Sequence, residues 1–275
     1  MAGDFDDVPA DALEDIAYLA RSANRVRLLD ALTSRSSRRG ALHERTGIAK
    51  TTIGRIINEF EERRWVERTS DGEYTVTPTG EQVANEFIPL IDVMAAIRKL
   101  GDMVAWIQAP EESIGLHQFS DATVRRPTPT DPMAPTAYYT EGLRDAEEFY
   151  CLVAVAPPLA FEIAMREEVT KRDLTVEHVI ADSEFRYICD HPERVSRWRE
   201  YVEAGANVYR YDGEVPCNFI ILDETVYIAK SQSEYGGEPY TLIESENDVV
   251  RSWAHDIIET HRADSTRLDA ADFDA

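Results

Sequence analysis

A chain of 275 residues, 43% of them hydrophobic, has the material for one large domain or two ordinary ones. It holds no run of about 18 apolar residues that could span a membrane. Its 52 acidic residues against 29 Lys and Arg give a formal charge of −23, and taken alone that excludes a phosphate-rich partner, since a polyanion repels phosphate. The acidic opening Met-Ala-Gly-Asp-Phe-Asp-Asp lacks the basic region of a signal peptide. Cys151, Cys189 and Cys217 are too scattered for a CxxC motif or a disulfide framework, so a reducing cytoplasm is expected.

Residues 9–20 and 23–33 read as two helices. Leu13, Ile16, Ala17 and Leu19 recur at helical spacing behind Pro9, a good first-turn residue, and Val26, Leu28, Leu29 and Leu32 repeat the pattern, with Ser22 or Asn24 to cap it. Ser36 or Ser37 is placed to cap a third helix ending near Thr46, and Gly47 suits the left-handed residue that stops a helix. From Gly47 to Phe60 the sequence predicts a tight turn and then a helix. That helix buries Ile53, Ile56, Ile57 and Phe60 and presents Lys50, Thr51, Thr52 and Arg55. Trp65–Thr69, the turn Ser70-Asp71-Gly72 and Glu73–Val76 then form a hairpin, with Trp65 in the core. These elements make a winged helix-turn-helix over residues 9–80.

Charge supports a DNA-reading role for this segment. Between Arg21 and Arg68 stand 12 Lys and Arg against 6 Asp and Glu, a net of +6, while the remainder carries −29. Helix-turn-helix docking puts the start of the second helix in the major groove, so Lys50, Thr51, Thr52 and Arg55 are candidates for base and phosphate contacts. The fork of Arg55 can bridge guanine O6 and N7. Arg35, Arg38 and Arg39 are placed to hold phosphates, and Arg68 to meet a backbone from a wing whose tip is acidic. Each could also be a plain solvated residue; the arrangement is the stronger signal. Only 4 of the 29 basic residues are Lys, and this Asp/Glu-rich, Lys-poor surface resembles cytosolic proteins of salt-accumulating archaea, which implies a halophilic protein. At molar salt the Debye length falls to about 3 Å, leaving close contacts to carry binding.

Gly-Ile-Ala-Lys-Thr-Thr-Ile-Gly-Arg (47–55), Trp-Val-Glu-Arg (65–68) and Tyr-Thr-Val-Thr-Pro-Thr-Gly (74–80) resemble winged-helix transcriptional regulators of the broad MarR, ArsR and TrmB kind. The likeness covers about a quarter of the chain and implies DNA binding without giving an operator.

From Pro78 to about Ile107 the pattern is again helical, and 81–108 reads as a linker and dimerisation helix. Phe87, Leu90, Met94, Ile97 and Val104 keep a 3-4 spacing suited to a helix pair, although Pro89 must kink or restart the helix and Gly101 interrupts the seam. Packing on the chain's own second domain is the alternative; a homodimer is favoured because winged-helix repressors commonly read two-fold operators. Residues 108–136 read as loop with one short strand.

Residues 109–268 form the second domain, an α/β effector domain, followed by an acidic tail over 269–275 expected to be disordered. Strands are expected at Phe149–Ala156, Leu174–Ile180, Val208–Tyr211 and Tyr240–Ile243, with a hairpin at Phe219–Ala229. Helices are expected at Pro157–Arg172, at Asp182–Ala204 as one long helix, and from Asn247 to about His261. The fold class is therefore α+β, a winged helix-turn-helix joined by a long helix to an α/β domain. Arg125-Arg126-Pro127-Thr128-Pro129, Tyr209 to Pro216, and Glu244-Ser245 leading to Arg251-Ser252-Trp253-Ala254 resemble the effector domain of regulators related to the methanogen filamentation regulator, itself similar to half of a phospholipase D. That resemblance implies a sensor.

Catalysis is not expected. None of the six histidines is followed two residues later by the Lys that phospholipase D chemistry uses, no Gly-rich phosphate loop is present, and Cys189-Asp190-His191 lacks a second ligand pair, so no metal or cofactor is assigned. Arg126, Thr128, Arg210, Asp212 and Arg251 could bind a small, anionic metabolite, or could form structural salt bridges. Tyr209 and Tyr211 must face away from Arg210 on their strand. The reading is a cytoplasmic, dimeric, sequence-specific regulator binding double-stranded DNA and a small-molecule effector, with no membrane partner. The alternatives are an architectural DNA binder without ligand, or a protein-interaction module docking another regulator.

Overall fold

The computed structural model describes residues 9–108, 113–155, 157–172, 174–230 and 241–273. The chain divides into two compact units, one running to Asp92 and one from Val93.

The first unit holds α1 (Ala10–Ala20), α2 (Ala23–Ser34), α3 (Arg39–Thr46), α4 (Lys50–Glu62), the antiparallel strands β1 (Val66–Arg68) and β2 (Tyr74–Val76), and the opening turns of α5 (Pro78–Leu100). Ile53, Ile56, Ile57 and Phe60 are fully buried on one face of α4, as their spacing predicts. Each such side chain contributes about 1.5–3 kcal/mol from area removed from water. They pack with Leu28, Leu29, Leu32, Leu42, Ile48 and Trp65. Gly47 ends α3 at φ 70°, a left-handed conformation that a side chain would strain. Neither Ser36 nor Ser37 caps α3: Arg38 stands at the N-cap position. Ser37 instead exchanges backbone hydrogen bonds with Tyr74, both at 3.0 Å, adding a bridge to the hairpin, and the Ser36 hydroxyl donates to Glu73. The pairing competes successfully with a local cap because it satisfies a donor and an acceptor together. Gly80 is a close-approach residue: a Cβ there would lie 1.9 Å from the Trp65 carbonyl oxygen.

Pro89 does not end α5, which is continuous over 23 residues. The second unit begins with its last turns, where Ala96 and Leu100 are buried. Gly101, at φ 56°, opens a 3-10 turn to Met103, and α6 (Val104–Ile107) follows. Next come β3 (Thr123–Arg125), the strand expected within 108–136, then α7 (Ala134–Leu143), β4 (Glu148–Val153), α8 (Leu159–Lys171), β5 (Thr175–Ala181), α9 (Asp182–Cys189), α10 (Pro192–Glu203), β6 (Asn207–Tyr211), β7 (Cys217–Leu222), β8 (Thr225–Lys230), β9 (Leu242–Ser245), α11 (Asp248–Ala263) and β10 (Thr266–Leu268). Eight strands form one sheet in the order β10-β6-β5-β4-β7-β8-β9-β3, with β4, β5 and β6 parallel and the other pairs antiparallel. Helices α7, α8 and α10 cover one face, where Phe149, Cys151, Ile180 and Val208 are buried. Helix α11 covers the other, over Leu152, Val179, Phe219 and Ile228.

Three further expectations need correction. The long helix at Asp182–Ala204 is two helices, because Pro192 has no amide to continue the ladder and starts α10 afresh. The tail is ordered at Ala270–Phe273, where Phe273 is 1% exposed and stacks on Trp198 at 6.1 Å. One aromatic side chain outweighs the acidic composition around it. The last expected strand is shifted to Leu242–Ser245, and its expected first residue, Tyr240, lies outside the described residues. Among the described residues no helix is long and apolar enough to cross a membrane.

Candidate nucleic-acid interface

The turn before α4 is fixed by its own polar atoms. The Gly47 amide donates to the His43 carbonyl at 2.9 Å, the Thr46 hydroxyl donates to the Leu42 carbonyl at 2.6 Å, and His43 Nδ1 pairs with the Ile48 carbonyl at 2.8 Å. Ala49, at the N-cap, brings no side-chain acceptor to α4, so the first helical amides face outward at the positive end of the helix dipole. That is the geometry in which helix N-termini meet phosphate.

Lys50, Thr51 and Arg55 are exposed and Thr52 is half-buried. Arg55 is tethered: its Nη1 donates to Glu59 Oε1 at 2.7 Å, one turn further on, with 57% of its side chain still exposed. Arg39, at the start of α3, reaches across Gly54, where an added Cβ would stand 3.4 Å from its Nη1, and donates to Asn58 Oδ1 at 3.4 Å. Its guanidinium also lies 5.3 Å from the Tyr74 ring, which Arg68 approaches at 5.9 Å. Arg38 donates to the Asp71 carbonyl at 3.1 Å, tying the wing tip to the front of α3. Arg35 is exposed on extended backbone between α2 and α3. Lys50, Thr51 and Arg55 therefore stand on the outer face of α4 with Arg39 beside them, while Arg38 and Arg68 lie with the wing.

Asn58 was not singled out from the sequence, yet it lies on the same exposed stripe, three residues after Arg55 and seven after Thr51. Extending the helical spacing one more turn would have found it. An Asn there is suited to the N6 and N7 edge of adenine.

The residues expected to hold an effector do not converge. Arg126 follows β3, one edge strand, and Arg210 sits on β6, six steps away across the sheet, or roughly 29 Å at about 4.8 Å per strand. Arg126 donates to the Lys99 carbonyl at 3.5 Å, and Thr128 closes a local turn with Asp131. Arg210 pairs with Asp182 at 2.7 Å and lies over Phe185, Arg251 pairs with Asp248 at 2.8 Å, and Asp212 is exposed. Tyr209 and Tyr211 face α11 while Arg210 faces α9, the alternation expected of that strand.

The second unit buries a few charged or titratable groups among its many exposed ones. Glu162 on α8 is 2% exposed and pairs with Arg194 at 3.0 Å and Arg197 at 3.3 Å, both on α10. Glu184 is equally buried, and burial holds its carboxyl well above the usual range, with Arg194 pulling the other way. His178 sits against Phe149, Trp198 and Tyr201, and burial lowers its pKa to about 3. Burial raises Cys151, and raises Cys217 to about 12; exposed Cys189 is raised as well, so no thiol is activated. Among the described residues no group of three or more His, Cys, Asp and Glu is placed to hold a metal ion.

Comparison with known proteins divides the chain as the fold does. Residues 13–99 match the family described as the HVO_A0261 N-terminal domain, and residues 132–264 the middle domain of the methanogenesis regulatory protein FilR1. A search of curated proteins finds no significant match. Among solved structures, the archaeal chromatin protein TrmBL2, described as showing a novel mode of DNA binding, is similar at 14% identity over 93% of this chain and 99% of its own, with a TM-score of 0.42. The phospholipase D family member Nuc from Salmonella typhimurium is similar at 10% identity over 54% of this chain and 99% of its own, with a TM-score of 0.44. NucT from Helicobacter pylori gives 10% identity over 54% and 98%, with a TM-score of 0.40. Likenesses this distant carry no functional argument. The two family matches do: one part of the chain matches the HVO_A0261 N-terminal domain and another the middle domain of a regulatory protein, which points to a regulator.

Proposed function

We propose that this protein is a sequence-specific regulator that reads duplex DNA with α4, and that it works as a homodimer. The observation that carries the reading is the outer face of α4, where Thr51, Arg55 and Asn58 stand exposed in line, with Arg39 laid beside them, inside the one basic segment of an acidic chain. The base contacts fall to Arg55 and Asn58, and the phosphate contacts to Lys50, Thr51, Arg35, Arg39 and Arg68. Selection from a randomised duplex library, followed by anisotropy titration at fixed salt, tests this. An enriched motif whose affinity falls about 10- to 100-fold in Arg55→Ala supports it. Equal binding to all duplexes supports the architectural alternative, and no binding at all supports the interaction module.

The dimer rests on α5, where Leu90, Ile91, Met94 and Ile97 are 38–52% exposed at three- and four-residue spacing. Met94→Glu is expected to give a monomer in light scattering while leaving the helical circular dichroism unchanged; an unchanged mass would remove α5 as the seam. The second unit, which matches the middle domain of a regulatory protein, is read as the part that senses a small anionic effector. Its binding residues are not the five arranged around Arg126 and Arg210 as one pocket. A thermal-shift screen with phosphorylated and carboxylated metabolites tests it, and uniformly flat results would retire the sensor. The protein is read as non-catalytic, and its Asp/Glu-rich surface as an adaptation to concentrated salt, which predicts a melting temperature that rises between dilute and molar potassium chloride.

A further inference from the structure

Tyr18, on the helix that precedes the helix-turn-helix, is built into the recognition helix. Its hydroxyl donates to Glu59 Oε2 at 2.6 Å, across 41 residues of sequence. Its ring is held between two guanidiniums, Arg25 at 3.8 Å and Arg63 at 3.9 Å from the centroid. Arg63 is fixed in turn by Asp15 at 3.0 Å, and Arg25 by the Tyr18 carbonyl at 2.7 Å. Glu59 is the meeting point: one carboxylate oxygen takes the Tyr18 hydroxyl and lies 3.5 Å from Arg25, and the other takes Arg55 at 2.7 Å.

The chemistry of each member suits a fixed anchor. Burial alone would raise the Glu59 pKa, but the hydrogen bonds from Tyr18 and Arg55 and the charges of Arg55 and Arg25 outweigh it, and the carboxyl stays below its ordinary range. Burial, followed by the bond to Glu59, raises the Tyr18 phenol, so it remains a donor. An arginine on a bare helix surface samples many rotamers and must be ordered when it meets a base. Here one nitrogen is held by Glu59 while the side chain stays 57% exposed, leaving its other donors within reach of a ligand.

We propose that Tyr18 and Glu59 are positioning residues for base reading, with Glu59 holding Arg55 in its reading rotamer and Tyr18 holding Glu59. The proposal rests on the reading of α4 as the DNA-contacting helix. It distinguishes itself from a merely structural role by the sign of one effect. Removing Glu59 also removes a negative charge beside the phosphates, so specific binding should weaken while non-specific binding strengthens.

The experiment measures affinity for the selected duplex and for a scrambled duplex, at two salt concentrations, for the full chain and four variants. Glu59→Ala should lower the ratio of specific to non-specific affinity about tenfold, and its non-specific affinity should rise. Tyr18→Phe keeps the stacked ring and every charge. It should lower the ratio a few-fold with non-specific affinity unchanged, and with a melting temperature close to that of the parent. In an Arg55→Ala background, adding Glu59→Ala should change the ratio no further, since there is no arginine left to position. Equal ratios for parent, Glu59→Ala and Tyr18→Phe would overturn the proposal while leaving the DNA reading intact. So would parallel losses in both duplexes, which mark a folding effect. Failure of the parent to bind either duplex overturns both.

Discussion

Both units carry ion pairs on their surfaces, but only in the second are charged groups also buried among the described residues. In the first, the ionic groups are worked into the outside of α4: Arg55 with Glu59, Arg39 with Asn58, Arg63 with Asp15, all with solvent on one side. In the second, Glu162, Glu184 and His178 are at most 2% exposed, beneath helices on one face of the sheet. Surface pairs are cheap to break and can trade partners with a ligand. Buried ones cannot, because removing one partner strands the other without water. The pairs on α4 thus keep their outward side open to a ligand, while Glu162 and its two arginines hold a fixed internal arrangement.

The sharpest way to break this contrast is Glu162→Ala, which leaves Arg194 and Arg197 without their shared acceptor. A loss of about 3–5 kcal/mol is expected in denaturant unfolding of the full chain. An effect below about 1 kcal/mol, the scale of a surface pair, would mean water reaches the pair. Phe273→Ala should cost about 3 kcal/mol by the same measurement, since it opens a cavity against Trp198 and Phe185. Gly80→Ala drives a methyl into the Trp65 carbonyl and should cost about 1–3 kcal/mol, felt in the first unit.

Acid should act on the second unit in a defined direction. His178 is neutral in the fold, and its pKa of about 3 lies below the ordinary value of 6.5. The unfolded chain therefore binds the extra proton, and stability falls as pH drops from about 6.5 toward 3. His178→Phe should flatten that limb of a stability-against-pH curve. Glu184 has the opposite sign: its raised folded pKa costs stability as pH climbs above the unfolded value. Glu184→Gln should stabilise at pH 7, with a gain that shrinks toward pH 4. The smallest stability effect belongs to the first unit. Arg39→Ala should move unfolding by less than about 0.5 kcal/mol, as surface changes do. It should still weaken DNA binding several-fold, which titration would show.

The contrast also explains what could be read from the chain and what could not. Helix α4, its four buried residues, the Gly47 stop, the hairpin and the buried Trp65 were all legible, because each is a short-range pattern. Arg55 was legible as exposed, and its four-residue spacing to Glu59 is a local signal, but the reach of Tyr18 to Glu59 was not legible, since nothing local ties residues 41 positions apart. In the second unit the central strands announce themselves as apolar runs. The pairing of β3 with β9 does not, and that pairing alone carries Arg126 away from Arg210. Local spacing likewise gave no sign that β10 and Phe273 close the far end of the sheet.

Those two ends have a consequence of their own. Among the described residues, each edge of the eight-stranded sheet is a strand of only three residues, β3 on one side and β10 on the other. An edge that short offers little backbone for a neighbouring molecule to zip onto. Mutual repulsion keeps acidic proteins apart in dilute buffer, but it fades when ions crowd the solution. Blunt edges work at any ionic strength, so copies of this chain remain protected from sheet-to-sheet polymerisation where charge alone would no longer separate them.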